Sequence, residues 1–119
     1  MKLAHTMIRV RDLDRSIAFY TEFLGLRETS RKDIGDATLV FLGDGQTEHL
    51  VELTHNKDGR DYELGDQFGH LALYADDLEA EVARVEANGW WFRRSQPDPK
   101  RYIFVKDPDG YDIEILQSH

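Results

Sequence analysis

The chain contains no cysteine in 119 residues, which removes disulfide staples, thiolate nucleophiles and soft sulfur ligands together. Any metal ion here must be held by imidazole and carboxylate. Basic residues are also scarce: 15 Lys and Arg stand against 23 Asp and Glu, a net charge of −8. Phosphate recognition needs concentrated basic surface, so the charge argues against a DNA or RNA partner. No apolar run approaches the roughly 18 residues of a membrane span, and the start of the chain lacks the uninterrupted apolar segment of a signal peptide. The expectation is a cytoplasmic protein with no membrane partner. The length fits one domain, 1–119, and a hydrophobic content of 40% suffices for a core at this size.

What the chain does contain is an echo of itself. His5-Thr-Met-Ile-Arg-Val-Arg-Asp-Leu-Asp returns loosely as His70-Leu-Ala-Leu-Tyr-Ala-Asp-Asp-Leu-Glu, 65 positions later. Residues 5–20 and 70–85 agree at a His, an Asp, a Leu and an Ala, with Ile8/Leu73, Asp14/Glu79 and Ile17/Val82 as conservative pairs. The order of predicted elements repeats as well, which is stronger evidence for duplication than scattered identities.

In module 1 (1–54), alternation over Leu3 to Val10 predicts a strand with His5, Met7 and Arg9 on one face. A helix follows, started by Asp12 or Asp14, with Ile17, Tyr20 and Leu24 at helical spacing and Gly25 as the left-handed stop. Three strands are then expected, over Leu26 to Arg31, Ala37 to Leu42 and His49 to Thr54, with Gly43-Asp44-Gly45 as a turn. The polar, glycine-rich stretch 55–69 reads as a connection. Module 2 (70–119) repeats the plan. His70 to Ala75 is a strand, and a helix begun by Asp76 or Asp77 carries Leu78, Val82 and Val85 on one face and ends at Gly89. Strands follow over Trp90 to Arg94, Tyr102 to Lys106 and Tyr111 to Leu116, the last two joined by the turn Asp107-Pro-Asp-Gly. The fold class is α+β, two tandem βαβββ modules.

Each copy opens on a histidine, His5 or His70, and closes on a strand with one glutamate among apolar neighbours, Glu52 or Glu114. Taken singly, each has an ordinary reading as an exposed strand end or a solvent-facing charge. Their equivalent places in two copies point instead to one metal site made of two half-sites. Two imidazoles and two carboxylates suit a divalent first-row ion, and an octahedral ion would keep two positions for water or substrate. His49 and His55 flank Glu52 but project to the opposite strand face, His119 is terminal, and Glu48 sits by the turn.

With those residues in view, the chain resembles glyoxalase I of the short bacterial type, within the vicinal oxygen chelate superfamily. The resemblance spans nearly the whole chain. It is carried by His5-Thr-Met-Ile-Arg-Val-Arg-Asp-Leu, Ser16-Ile-Ala-Phe-Tyr-Thr-Glu-Phe-Leu-Gly-Leu, Val51-Glu-Leu-Thr-His-Asn, Tyr62-Glu-Leu-Gly-Asp-Gln-Phe-Gly-His and Asp107-Pro-Asp-Gly-Tyr-Asp-Ile-Glu-Ile-Leu. The Asp-Pro-Asp-Gly turn is common across the superfamily, whereas the segments from Val51 and Tyr62 point more narrowly to glyoxalase I. The resemblance implies a lactoylglutathione lyase, a carbon–sulfur lyase of methylglyoxal detoxification. Such an enzyme isomerises the hemithioacetal of methylglyoxal and glutathione to S-lactoylglutathione through an enediolate held by the metal.

By the same resemblance His5, Glu52, His70 and Glu114 are the metal ligands, with Ni or Co favoured and Zn allowed, and glutathione is the cosubstrate. Glu114 is the base and Glu52 its acid–base partner. Arg9 and Asn56 match substrate contacts, and a homodimer with sites shared between chains is implied. Trp90 and Trp91 face opposite ways if extended, so at most one lines a pocket and the other packs in a core. One departure stands out: the loop that grips glutathione in the family is compressed here to Ser95-Gln-Pro-Asp-Pro-Lys-Arg, where Lys100 or Arg101 would supply the cation. The alternatives are another metalloenzyme of the superfamily, an epimerase, a thiol transferase or a ring-cleaving dioxygenase, and a metal-free binding module. Glu52 counts against the first group, whose members carry glutamine or no ligand at that position, and the complete ligand set counts against the second.

Overall fold

The computed structural model describes residues 1–95 and 101–119. The chain divides into two compact units, Met1–Glu63 and Leu64–His119, and the boundary falls inside the polar connection. Among the described residues each unit is a four-stranded mixed sheet with one helical segment. Among the described residues no helix is long and apolar enough to cross a membrane.

Unit 1 begins with β1 (His5–Arg9), α1 (Leu13–Ala18) and a π-helical turn (Phe19–Phe23), then β2 (Arg27–Asp33), β3 (Ala37–Gly43) and β4 (Leu50–Asn56). The order across the sheet is β1-β4-β3-β2, with β1 parallel to β4 and the remaining pairs antiparallel. Alternation in β1 buries Ile8 and leaves His5, Met7 and Arg9 exposed, as period-two patterning requires. Ile8, Val40, Leu42 and Leu53 are buried together with Tyr20 and Phe23 of the helical segment, and each such side chain contributes about 1.5–3 kcal/mol of transfer free energy. Asp12 caps α1, its Oδ1 accepting from the Arg15 amide at 3.1 Å.

The helical face differs from the expected one for a physical reason. The Leu24 amide donates to Phe19 O, an i to i+5 bond of 3.1 Å, so one residue more than an α-turn is accommodated and the stripe shifts. The buried positions become Ser16, Phe19, Tyr20 and Phe23, while Ile17 and Leu24 remain half-buried.

Unit 2 contains β5 (His70–Ala75), α2 (Leu78–Ala87), β6 (Phe92–Arg94), β7 (Tyr102–Lys106) and β8 (Asp112–Gln117), in the sheet order β5-β8-β7-β6. Here β5 is parallel to β8, so the topology of unit 1 recurs. Asp77 caps α2 through the Ala80 amide at 3.2 Å, and Leu78, Val82 and Val85 are buried as the spacing predicts. Gly25 and Gly89 close the two helical segments with φ of +79° and +67°, values that only glycine adopts without strain. Buried Asp107 folds the turn before β8, its Oδ1 accepting from the amides of Asp109 and Tyr111, both at 2.9 Å.

Three expectations need correction. His55 and Asn56 belong to β4 and not to the connection, because β3 continues to pair with them as far as Ala37. Trp90 and Trp91 precede β6 and do not extend it, and they are 39% and 51% exposed, so neither is a core residue of unit 2. The Trp91 ring instead lies beneath Lys106, with Nζ 5.1 Å from its centroid.

Candidate metal centre

Registration across each sheet brings a histidine and a glutamate together. In unit 1, Met7 is opposite Glu52 on the parallel neighbour, so His5 lies two residues up the same face of β1. In unit 2, Ala72 is opposite Glu114, and His70 holds the same relation. The result is two matching pairs: His5 Nε2 lies 3.3 Å from Glu52 Oε1, and His70 Nε2 lies 2.8 Å from Glu114 Oε2. The imidazoles are 44% and 39% exposed, the carboxylates 10% and 17%. Each pair therefore has a largely buried carboxylate and a partly exposed imidazole turned toward it. Within each unit the set stops at two, since no third His, Asp or Glu joins either pair among the described residues.

The surroundings repeat as well. Phe41 stands opposite Glu52 in the register of β3, and Phe104 stands opposite Glu114 in that of β7. Each presents a ring edge-on to the neighbouring imidazole, with centroids 5.6 Å apart for His5 and Phe41 and 4.9 Å for His70 and Phe104.

The halves differ in one donor. Thr54, buried on the same face as Glu52, donates its hydroxyl to Glu52 Oε2 at 2.5 Å. Leu116 occupies the corresponding place two residues beyond Glu114, so among the described residues Glu114 has His70 as its side-chain partner and no hydroxyl. Among the described residues Glu52 is anchored by two side chains and Glu114 by one.

His49 and His55 are directed elsewhere, with His49 Nε2 2.9 Å from Thr6 Oγ1 and His55 Nδ1 3.3 Å from Val10 O. Asn56 lines a cavity of about 200 Å³ in unit 1 with Arg11, His55 and Tyr62. Its Nδ2 donates to the Tyr62 phenol oxygen at 2.7 Å. Arg11 stacks on the Tyr62 ring at 5.6 Å and bonds Asp61 Oδ1 through Nε at 2.6 Å. That bond, the Tyr62 amide and the nearby guanidinium charge hold the Asp61 carboxyl below its usual pKa. Arg9 is exposed on the face of His5, opposite Thr54 in the register.

The Glyoxalase/Bleomycin resistance protein/Dioxygenase superfamily model matches residues 2–115. A probable lactoylglutathione lyase of Synechocystis sp. is 41% identical over 127 residues, covering 99% of this chain and 96% of its own. The lactoylglutathione lyase of Haemophilus influenzae is 42% identical over 126, covering 99% and 93%. The chain belongs to this superfamily. Among solved structures, the trypanothione-dependent glyoxalase I of Leishmania major superposes with a TM-score of 0.87 at 38% identity, covering 98% of this chain and 86% of that one. The paired βαβββ sheets are the superfamily fold, and the relatives' names bear out the resemblance to glyoxalase I. The 127-position alignment exceeds the 119 residues of this chain, so that relative carries residues absent here.

Lys100 lies outside the described residues. Arg101 lies 4.0 Å from Glu79, a carboxylate that Arg94 also grips at 2.6 Å. Sequence reasoning missed Thr54, Phe41, Phe104 and Tyr62. Thr54 was readable from parity, two residues after Glu52 on one face, whereas the phenylalanines look like ordinary apolar strand residues until register is known.

Proposed function

We propose that the protein is a metal-dependent lactoylglutathione lyase that isomerises the hemithioacetal of methylglyoxal and glutathione to S-lactoylglutathione. The observation that carries this reading is the pair of matched His–Glu couples, which together offer two imidazole nitrogens and two carboxylates in a family whose relatives bear that name. The donor chemistry fits a first-row divalent ion: both histidines present Nε2, both glutamates approach it closely, and no thiolate competes. His5, Glu52, His70 and Glu114 would hold that ion. When bound, it supplies Lewis-acid stabilisation of the negative charge that develops on the two neighbouring oxygens of the substrate. Nickel or cobalt is the favoured metal, with zinc as the alternative.

The protein's own groups carry the proton. The reaction removes the hydrogen on the carbon bearing sulfur and delivers a proton to the adjacent carbonyl carbon, so atoms balance without any oxidant. Glu114 takes the first proton, because among the described residues it has one side-chain partner where Glu52 has two, which leaves it freer to move. Glu52, fixed by Thr54 and His5, is its acid–base partner across the intermediate. Arg9 and Asn56 hold the thiol cosubstrate, and Lys100 is the candidate third contact. The chain acts as one functional domain, and two copies associate as a homodimer in the cytoplasm, each site completed by His5 and Glu52 of one protomer with His70 and Glu114 of the other.

The test is reconstitution of apoprotein with nickel, cobalt, zinc or no metal, followed by thioester formation from methylglyoxal and glutathione. Activity with at least one metal and none without is expected; metal-bound protein that stays inactive in every case overturns the assignment. Mixing inactive His5→Ala with inactive His70→Ala protein should restore turnover, because one site of each mixed dimer is then intact. No recovery after exchange removes the shared-site reading.

A further inference from the structure

Asn56 does not hold its own orientation. An asparagine amide presents an acceptor on one side and donors on the other, and which side meets a ligand depends on what engages the rest of the group. Here Nδ2 donates to the Tyr62 phenol oxygen at 2.7 Å, and among the described residues Oδ1 accepts no hydrogen bond. Tyr62 is in turn clamped: Arg11 lies over its ring, Arg11 Nη2 donates to its carbonyl oxygen, and its amide donates to Asp61 Oδ1 at 2.9 Å. The clamp spans three parts of the sequence, the second residue after β1, the end of β4 and the loop beyond it. All three meet at the cavity that Asn56 lines.

We infer that Tyr62 is a positioning residue that sets the Asn56 amide so that Oδ1 faces the cavity as an acceptor for an N–H of the peptide-like thiol. This rests on the reading of Asn56 as a cosubstrate contact. The phenol touches the amide and acts on the ligand through it. Arg11 and Asp61 act one step further back, by fixing the ring.

The prediction is non-additivity, measured by calorimetric titration of nickel-loaded protein with S-methylglutathione, a thioether that cannot form the adduct. Tyr62→Phe retains the ring under Arg11 and removes only the phenol, so binding should weaken about threefold to tenfold, the range for one hydrogen bond. Asn56→Ala should weaken it at least as much, and adding Tyr62→Phe to Asn56→Ala should change it by less than about twofold, the signature of one residue acting through another. In turnover the loss should appear in KM more than in kcat. Arg11→Gln, which frees the ring and keeps the phenol, should give a smaller loss in the same direction and carries the test if Tyr62→Phe fails to fold. Unchanged binding by Tyr62→Phe, or an equal penalty with and without Asn56, overturns the inference while wild-type binding and turnover leave the lyase reading intact. Wild-type protein that neither binds the thioether nor turns over the hemithioacetal overturns both.

Discussion

Replacing Thr54 by valine removes one hydroxyl and changes almost nothing else, since valine is isosteric and equally suited to a strand. The hydroxyl donates to a carboxylate that is 8% exposed, at 2.5 Å, so little water is at hand to replace it. Hydrogen bonds to charged groups contribute about 1.5–3 kcal/mol, and loss of a partner that orients a metal ligand typically costs about tenfold to a hundredfold in metal affinity. The two ranges agree, because 1.4 kcal/mol is about a factor of ten. Thr54→Val should therefore bind nickel about tenfold to a hundredfold more weakly in competition with a chromophoric chelator, and the apoprotein should unfold at lower urea. The reciprocal change belongs to unit 2: Leu116→Thr places a hydroxyl beside Glu114, which should hold that carboxylate in place and reduce turnover while leaving metal affinity equal or better. The reasoning fails if Thr54→Val binds metal like the wild type, or if Leu116→Thr turns over as fast as the wild type with the new hydrogen bond formed.

Three other outcomes follow from the same geometry. Glu114→Ala should lose turnover by at least two orders of magnitude, as removal of a general base does, checked by initial rates at saturating metal; near-normal rates exclude it as base. Asp12→Ala and Asp77→Ala remove equivalent caps at 3.1 and 3.2 Å and should each cost about 0.5–2 kcal/mol in urea unfolding, with similar values for the two. The carboxyls of Glu28, Asp33, Asp44, Asp58 and Asp61 are all held below their ordinary pKa values, chiefly by hydrogen bonds from Arg31, Lys57, the Thr47 amide, Arg60 and Arg11. A depressed folded-state value means that the unfolded chain takes up protons first as pH falls, so their stabilisation is complete above about pH 5, starts to fall as pH drops through the ordinary carboxyl range near 4, and is lost only as pH falls through the lower folded-state values. The gap in urea midpoint between the wild type and Asp61→Asn should accordingly narrow progressively as pH falls below about 4, and a gap that stays constant or widens over that fall refutes the assignment.

Most of the fold was legible because its local signals are independent of one another and agree. Aspartates that cap, glycines that stop a helix and apolar residues at period two each specify an element alone, and His70–Ala75 and Tyr102–Lys106 appear with the expected bounds. What was not legible depends on register or on hydrogen-bond choice. Nothing in Phe19-Tyr-Thr-Glu-Phe announces an i to i+5 bond, yet that bond moves the buried face. The strand expected over Trp90 to Arg94 is shorter because β7 pairs with this segment from Phe92 to Arg94 and not with the two tryptophans. For the site, the four proposed ligands were legible from duplication. Tyr62 was not, because a polar stretch carries no hint of which side chain will fold back on Asn56.

Duplication also explains why the halves need not be equal. A gene doubled into two βαβββ units begins with two identical half-sites, and a symmetric site would present two equivalent carboxylates to a substrate whose two carbons require different treatment. One carbon must lose a proton and its neighbour must gain one, so the carboxylates serve best when their freedom differs. Thr54 against Leu116 is a difference of that kind, a single position that tethers Glu52 and, among the described residues, leaves Glu114 with His70 as its side-chain partner. The Arg11–Tyr62–Asn56 clamp is a second one: the residue after β5 that corresponds to Arg11 is Asp76, which cannot stack as a cation on a ring. On this account the repeated histidines and glutamates are what the copies still share, and the chemistry resides in the residues two positions away where they have diverged. Exchanging Thr54 and Leu116 in one double variant tests that directly. If divergence at this position assigns the roles, the exchanged protein should depend on Glu52 as its base, and Glu52→Ala should then cost more turnover than Glu114→Ala; an unchanged order of the two losses shows that the roles are set elsewhere.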